Sequence, residues 1–192
     1  MRPDDESRAG GVAVRLLPPR ESADAPLVSR LANLVNRVYV VAEEGLWIDG
    51  ATRTTVPEMR DLVGEGEIVV ATIGPDVVGC VRVRELDGAR GEFGMLAAAP
   101  DVRGRGIGRE LVQFAEQRSR ERGHRTIELE LLVPREWVHP SKRFLDEWYR
   151  RIGYRVVRAG TIDHAYPHLA PLLATPCDFV IYEKALATGN RS

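Results

Sequence analysis

Between Arg103 and Gly108 the chain reads Arg-Gly-Arg-Gly-Ile-Gly, entered from Pro100-Asp101 and followed by a stretch of helical spacing. A glycine-rich turn at a helix N-terminus leaves several backbone N–H groups facing outward, and the helix dipole adds about half a positive charge, so a pyrophosphate is a natural ligand. Glycine suits such a turn because side chains would hold phosphate oxygens away from those donors. Spacing separates the phosphate-binding motifs that could apply. A dinucleotide fingerprint beginning at Gly104 needs glycine at position 109, where Arg109 stands, and a P-loop needs lysine after its glycine, which neither Gly106 nor Gly108 has. The pattern left is Arg-x-x-Gly-x-Gly on Arg103, Gly106 and Gly108. Its plain alternative is a tight strand-to-helix connection without a ligand.

No other set of residues is reactive by spacing alone. Cys80 and Cys177 lack C-x-x-C spacing and a neighbouring histidine cluster, so neither a disulfide framework nor a zinc site is indicated. His164 and His168 stand four apart, but Pro167 lies between them and no third ligand is evident, so no metal is expected. The 27 basic and 28 acidic side chains give a formal charge of −1, and no global field draws the chain to nucleic acid or an anionic membrane. Met1–Gly10 is polar and no apolar run approaches the roughly 18 residues needed to span a bilayer. The expectation is a cytoplasmic protein with a small or locally recognised partner.

At 192 residues and 44% hydrophobic, the chain can bury one core without staples, so a single domain over residues 12–186 is expected, with flexible ends at 1–11 and 187–192. Val12–Leu17 reads as a strand stopped by Pro18-Pro19. Leu27, Leu31, Leu34, Val35 and Val38 then predict a helix from about Ala23 to Glu44, and Val56–Val63 a shorter one with Pro57 in its first turn. Glu67–Ile73 and Val77–Arg84 form a hairpin about Gly74-Pro75-Asp76, and Gly91–Ala99 is the strand that feeds the glycine turn. A helix from Gly106 to about Arg122 stops at Gly123, and Thr126–Val133 alternates as a strand with Glu128 and Glu130 facing away from the core. After the loop Pro134–Pro140, Ser141 could cap a helix to about Arg151. Strands at Tyr154–Arg158 and Asp178–Lys184 close the chain, with a helical stretch around His168–Ala174. The order implies an α/β or α+β sandwich around a mixed sheet.

The glycine turn, set behind Leu96-Ala97-Ala98-Ala99-Pro100 between a strand and a helix, resembles the segment that holds the CoA pyrophosphate in the GNAT family of N-acetyltransferases. A second match, Trp148-Tyr149-Arg150-Arg151-Ile152-Gly153-Tyr154, is similar to the family's Phe-Tyr-x-x-x-Gly-Phe/Tyr at the end of the last core helix. Together they cover about residues 12 to 184. The resemblance implies a GNAT-like, mostly antiparallel central sheet of about six or seven strands flanked by helices. It also implies acetyl-CoA as cosubstrate, bound by Leu96, Ala97, Ala98, Arg103, Gly104, Arg105, Gly106, Ile107, Gly108 and Arg109, and direct acetyl transfer to a primary amine, in the first instance of a small molecule. Many relatives place a cofactor-contacting asparagine where this chain has Pro134–Pro140, which contains none.

The chemistry asks for a base, because an alkyl amine with a pKa near 10 is only about one part in a thousand neutral at pH 7, and for an acid to protonate the departing thiolate. By resemblance Tyr149 is the acid and Glu92 the base, with the Leu96 N–H as donor to the thioester carbonyl. Residues alone leave both roles open. Tyr149 also fits a core stripe with Leu145 and Ile152, and Glu92 also fits a solvent-facing acid at a strand start. Glu130, Glu128, Glu43 and Glu44, or a water chain, are fallback bases. Trp47, Trp137 and His139 fall in segments that border the acceptor in this fold. A non-catalytic acyl-CoA sensor, or an enzyme acting on a protein or aminoacyl-tRNA, would use the same turn. Near-neutral charge argues against tRNA. Dimers are the commonest assembly, so a homodimer is the one to test for.

Overall fold

The computed structural model describes residues 11–187 apart from His168, and only the backbone of His164 and Ala165. In chain order the elements are β1 (Val12–Leu16), α1 (Ala25–Ala42), α2 (Val56–Gly64), β2 (Ile68–Ile73), β3 (Asp76–Asp87), β4 (Arg90–Ala98), α3 (Ile107–Glu121), β5 (Thr126–Pro134), α4 (Pro140–Arg151), β6 (Arg155–Thr161), α5 (Ile162–Ala165) and β7 (Cys177–Ala185). Seven strands form a mixed sheet in the order β1-β2-β3-β4-β5-β7-β6. β1 with β2, β2 with β3, β5 with β7 and β6 with β7 are antiparallel, and β4 pairs with β5 in parallel. By proximity the chain divides into two compact units, the first from Met1–Val38, Thr54–Val83 and Met95–Gln117 and the second from Tyr39–Arg53, Arg84–Gly94 and Arg118–Ser192.

In the first unit, α1 starts where Asp24 accepts the Leu27 N–H at 2.9 Å, and it buries Leu27, Val28, Leu31, Ala32, Leu34 and Val35 along one stripe. α2 starts with a capping box: the Thr55 hydroxyl accepts the Glu58 N–H while the Glu58 carboxylate accepts the Thr55 N–H. Asn36 on α1 donates to the Thr54 carbonyl and accepts its N–H, which ties the two helices together. The closest packing lies under α3. A Cβ built on Gly79 of β3 would stand 2.6 Å from Ile107 Cγ2 and 3.0 Å from the Ala97 carbonyl. Glycine there lets the first turn of α3 sit directly on the sheet.

In the second unit, Tyr149 and Tyr154 flank Phe93 of β4 with ring centroids at 6.1 and 5.8 Å, and Tyr182 of β7 lies 5.9 Å from Tyr149. These are offset and edge-on packings that aromatic rings favour. Tyr182 also donates to Asp146 of α4, which pairs with Arg150 at 2.7 Å. Gly91 is the small residue of this unit, since a Cβ there would meet Ser119 Oγ at 2.5 Å.

Several expectations shift. β3 runs to Asp87, beyond the expected Arg84, and β6 begins at Arg155 because Tyr154 is buried as an anchor before it. α4 begins at Pro140, and its cap is His139, whose Nδ1 accepts the Ser141 N–H at 3.1 Å, so Ser141 is not the cap. The helical stretch expected around His168–Ala174 is a 3-10 turn, Ala170–Leu172, preceded by α5, which was not expected, while His168 lies outside the described residues. Residues 1–10 and 188–192, most of the two expected flexible ends, also lie outside them. No helix among the described residues is long and apolar enough to cross a membrane.

Cβ contacts this short predict that Gly79→Ala and Gly91→Ala each lower stability by about 1–3 kcal/mol through overpacking. Gly160→Ala, with nothing within 4 Å, should stay within about 0.5 kcal/mol of wild type; urea denaturation of the three variants checks the ranking. Burial also pushes the Cys80 thiol up to about 12 and the Cys177 thiol up to about 11. Both should therefore resist a disulfide reagent at pH 8 in the folded protein and react only after denaturant is added.

Candidate active site

β4 ends at Ala98 and the chain passes through the 3-10 turn Pro100–Val102 into Arg103. Gly104 and Gly106 both adopt the left-handed conformation, with φ of +85° and +78°, which only glycine takes at no steric cost. Nothing lies within 4 Å of a Cβ on either, so the turn is open on that side. The Glu110 N–H bonds to the Gly106 carbonyl at 3.0 Å as α3 begins. The N–H groups of Ile107, Gly108 and Arg109, one turn earlier, therefore have no partner within the helix. Arg103, Arg105 and Arg109 are exposed around this end, whereas Ile107 is buried as the wedge over Gly79. The turn Arg103–Gly106 thus leads directly into the first residues of the fifteen-residue helix α3, Ile107, Gly108 and Arg109.

Leu96, Ala97 and Ala98 lie on β4 directly before it. Ala97 is fully buried under α3, while Leu96 and Ala98 are partly exposed on the other face, with Glu92 and Gly94. The residue ahead of them, Met95, has φ +51°. A left-handed non-glycine residue costs roughly 1–2 kcal/mol, and such strain collects at functional sites. Sequence reasoning did not foresee it, because methionine carries no turn signal; the adjacent Gly94 is the nearest hint.

The two expected catalytic groups belong to the second unit and stand on opposite faces of β4. Phe93 turns toward Tyr149, and side chains alternate along a strand, so Glu92 turns away. Tyr149 is 4% exposed. Burial foremost, then the Tyr39 and Tyr182 hydroxyls, hold its ionisation well above that of an ordinary phenol, so the group is a neutral proton donor at any working pH. Among the described residues its hydroxyl makes no hydrogen bond. Glu92 is engaged: Oε2 accepts from Arg84 Nη2 at 2.7 Å and Nε at 3.2 Å.

The fallback carboxylates separate clearly. Glu128 is buried although the alternation of β5 placed it outward, because its two oxygens are bound by Arg90 at 3.0 Å and Arg158 at 2.7 Å. Glu43 is buried and held by Lys142 Nζ and Trp47 Nε1, both at 2.6 Å, which makes it a structural anchor. Glu44 is exposed. Glu130 is held by a neutral partner, the Tyr166 hydroxyl at 2.7 Å. Trp137 is 39% exposed and stacks near His139, but His139 is buried and used as the α4 cap. Burial first, then Lys142, lowers the basicity of that imidazole. It is therefore not an acceptor wall. Among the described residues no group of three or more His, Cys, Asp or Glu could hold a metal ion.

Comparison with known proteins agrees with this geometry. No curated protein matched the sequence. Among solved structures, the PaiA N-acetyltransferase from Thermoplasma acidophilum, in complex with coenzyme A, is similar with a TM-score of 0.66 at 13% identity, over 91% of this chain and 99% of that one. The ribosomal-protein-S18-alanine N-acetyltransferase from Escherichia coli gives 0.64 at 14% identity, over 95% and 98%. N-acetylglutamate synthase from Neisseria gonorrhoeae, complexed with coenzyme A and N-acetyl-glutamate, gives 0.63 at 14% identity over 92% of this chain, which spans only 35% of that protein. These likenesses concern the fold. A family model, described as the acetyltransferase (GNAT) family, matches residues 33–154, well over half of the sequence and including both the glycine turn and the Trp148–Tyr154 segment. The chain belongs to the GNAT family of acetyltransferases.

Proposed function

We propose that this acetyltransferase uses acetyl-CoA to acetylate the primary amine of a small-molecule acceptor by direct transfer. The observation that carries the cosubstrate is the open turn Arg103–Arg109, with left-handed glycines, unused helix N–H groups and exposed arginines. Two of the similar structures are described with coenzyme A bound. The buried thiols fit a reducing compartment such as the cytoplasm.

In the transfer, the amine nitrogen forms a bond to the acetyl carbon and the carbon–sulfur bond breaks. The Leu96 N–H donates to the carbonyl oxygen as charge gathers there. Tyr149, kept protonated by burial, gives its proton to the departing sulfur. The amine proton passes to a carboxylate on the other face of the sheet. Glu92 lies on the strand expected to carry it, but an arginine already binds it. Glu130 has one oxygen on Tyr166, and no described residue takes the other. We therefore assign Glu130 the proton and leave Glu92 as part of the acceptor-side wall.

Calorimetric titration with acetyl-CoA should give micromolar binding to the wild type and a loss of at least about 100-fold in Gly106→Glu, where a carboxylate would meet the phosphates. Binding by wild type without CoA release on any amine would favour an acyl-CoA sensor, and release only with a peptide or tRNA would move the acceptor class. Tyr149→Phe should lower kcat about 100-fold with little change in acetyl-CoA affinity. Because burial raises the Tyr149 ionisation, its proton remains available as pH rises. Wild-type kcat should therefore not fall between about pH 7 and 10 for loss of this acid; a basic limb below 10 that disappears in Tyr149→Phe would refute the raised ionisation, and an undiminished kcat in Tyr149→Phe would refute the role as acid.

A further inference from the structure

Three carboxylates stand on β4 and β5 in the second unit, and their partners differ in kind. Glu92 is bound through one oxygen by both donors of the Arg84 fork, and Glu128 through both oxygens by Arg90 and Arg158. Glu130, two residues beyond Glu128 and hence on the same face of β5, is held by an uncharged donor: Tyr166 Oη, 2.7 Å from Oε2. A guanidinium ties up a carboxylate electrostatically as well as sterically. A phenol fixes the side chain while leaving it able to accept a proton through its second oxygen.

Tyr166 is itself firmly placed. It follows α5, and its N–H bonds to the Ile162 carbonyl at 2.7 Å. Its ring packs on Phe179 at 5.0 Å and against the core formed by Leu46, Leu132, Ile162 and Cys177. The segment that carries it is laced to the loop after α1 by the Trp47–Leu173 bridge, with Ile48 N–H to the Leu172 carbonyl and Ala174 N–H to the Leu46 carbonyl, both at 2.9 Å. Trp47 in turn donates to Glu43, whose other oxygen binds Lys142 at the start of α4. A glutamate side chain has three rotatable bonds, and a fixed donor of this kind removes rotamer freedom that would otherwise be lost at the moment of reaction. Burial first, then the hydrogen bond to Glu130 and the nearby carboxylate charges, push the phenol up to about 12, so it stays a donor through the working range.

We propose that Tyr166, from the connection between β6 and β7, is a positioning residue that orients Glu130 for removal of the acceptor's proton. The proposal rests on the assignment of Glu130 above. Tyr166→Phe keeps the ring in its packing and removes only the hydroxyl. The test measures CoA thiol release from acetyl-CoA with a panel of primary amines for the wild type, Tyr166→Phe, Glu130→Gln and the double variant. Tyr166→Phe should lower kcat about 10-fold with KM for acetyl-CoA unchanged. In the Glu130→Gln background the same change should have no further effect, since its target is gone. Equal slowing in both backgrounds, or an unchanged kcat in Tyr166→Phe, would overturn the positioning role while leaving Glu130 in place. Undiminished turnover in Glu130→Gln would instead overturn the base assignment and the inference with it. A wild type that releases no CoA with any amine would remove the transfer reading itself.

Discussion

The missing side chain at Gly79 is the constraint on which the position of the glycine turn and the start of α3 depends. Ile107 Cγ2 occupies the space a Cβ would need, and the Ala97 carbonyl closes it from β4. With β3, β4 and the first turn of α3 locked at van der Waals distance, the helix start cannot drift relative to the strand that precedes it. The N–H groups of Ile107, Gly108 and Arg109 consequently point from a rigid base, which is what preorganised recognition of an anion requires. The left-handed glycines at 104 and 106 complete the turn, but they shape it; the packing beneath Ile107 holds it still.

A second constraint governs the carboxylates of β4 and β5: a buried carboxylate needs a partner. Arg84 binds Glu92, and Arg90 and Arg158 bind the two oxygens of Glu128. Lys142 and Trp47 hold Glu43, which links the loop after α1 to the start of α4. Only a phenol holds Glu130 among the described residues. The resulting difference in partners is made by side chains that arrive from different strands and connections.

Much of this was legible beforehand. Glycine spacing, helical periodicity and the strand before the turn are local properties, so the glycine turn and most element boundaries could be read to within a few residues. Misplacements followed where local rules compete. Serine at 141 is the better cap by residue type, yet His139, buried by Trp137 and the loop after α1, takes the role. The alternation on β5 set Glu128 apart from the apolar face, and periodicity does not know that two arginines will cover it.

The sequence by itself determined the glycine turn before α3, the order of strands and helices and the family, because each rests on short-range geometry of φ, of helix ends and of alternating side chains. Tertiary structure alone decided which partner each carboxylate of β4 and β5 meets. Glu92 and Arg84 are eight positions apart, Glu128 stands 38 from Arg90 and 30 from Arg158, and Glu130 stands 36 from Tyr166. Pairs at such separations meet only through strand register and the path of the closing segments, and no local pattern in the chain encodes them.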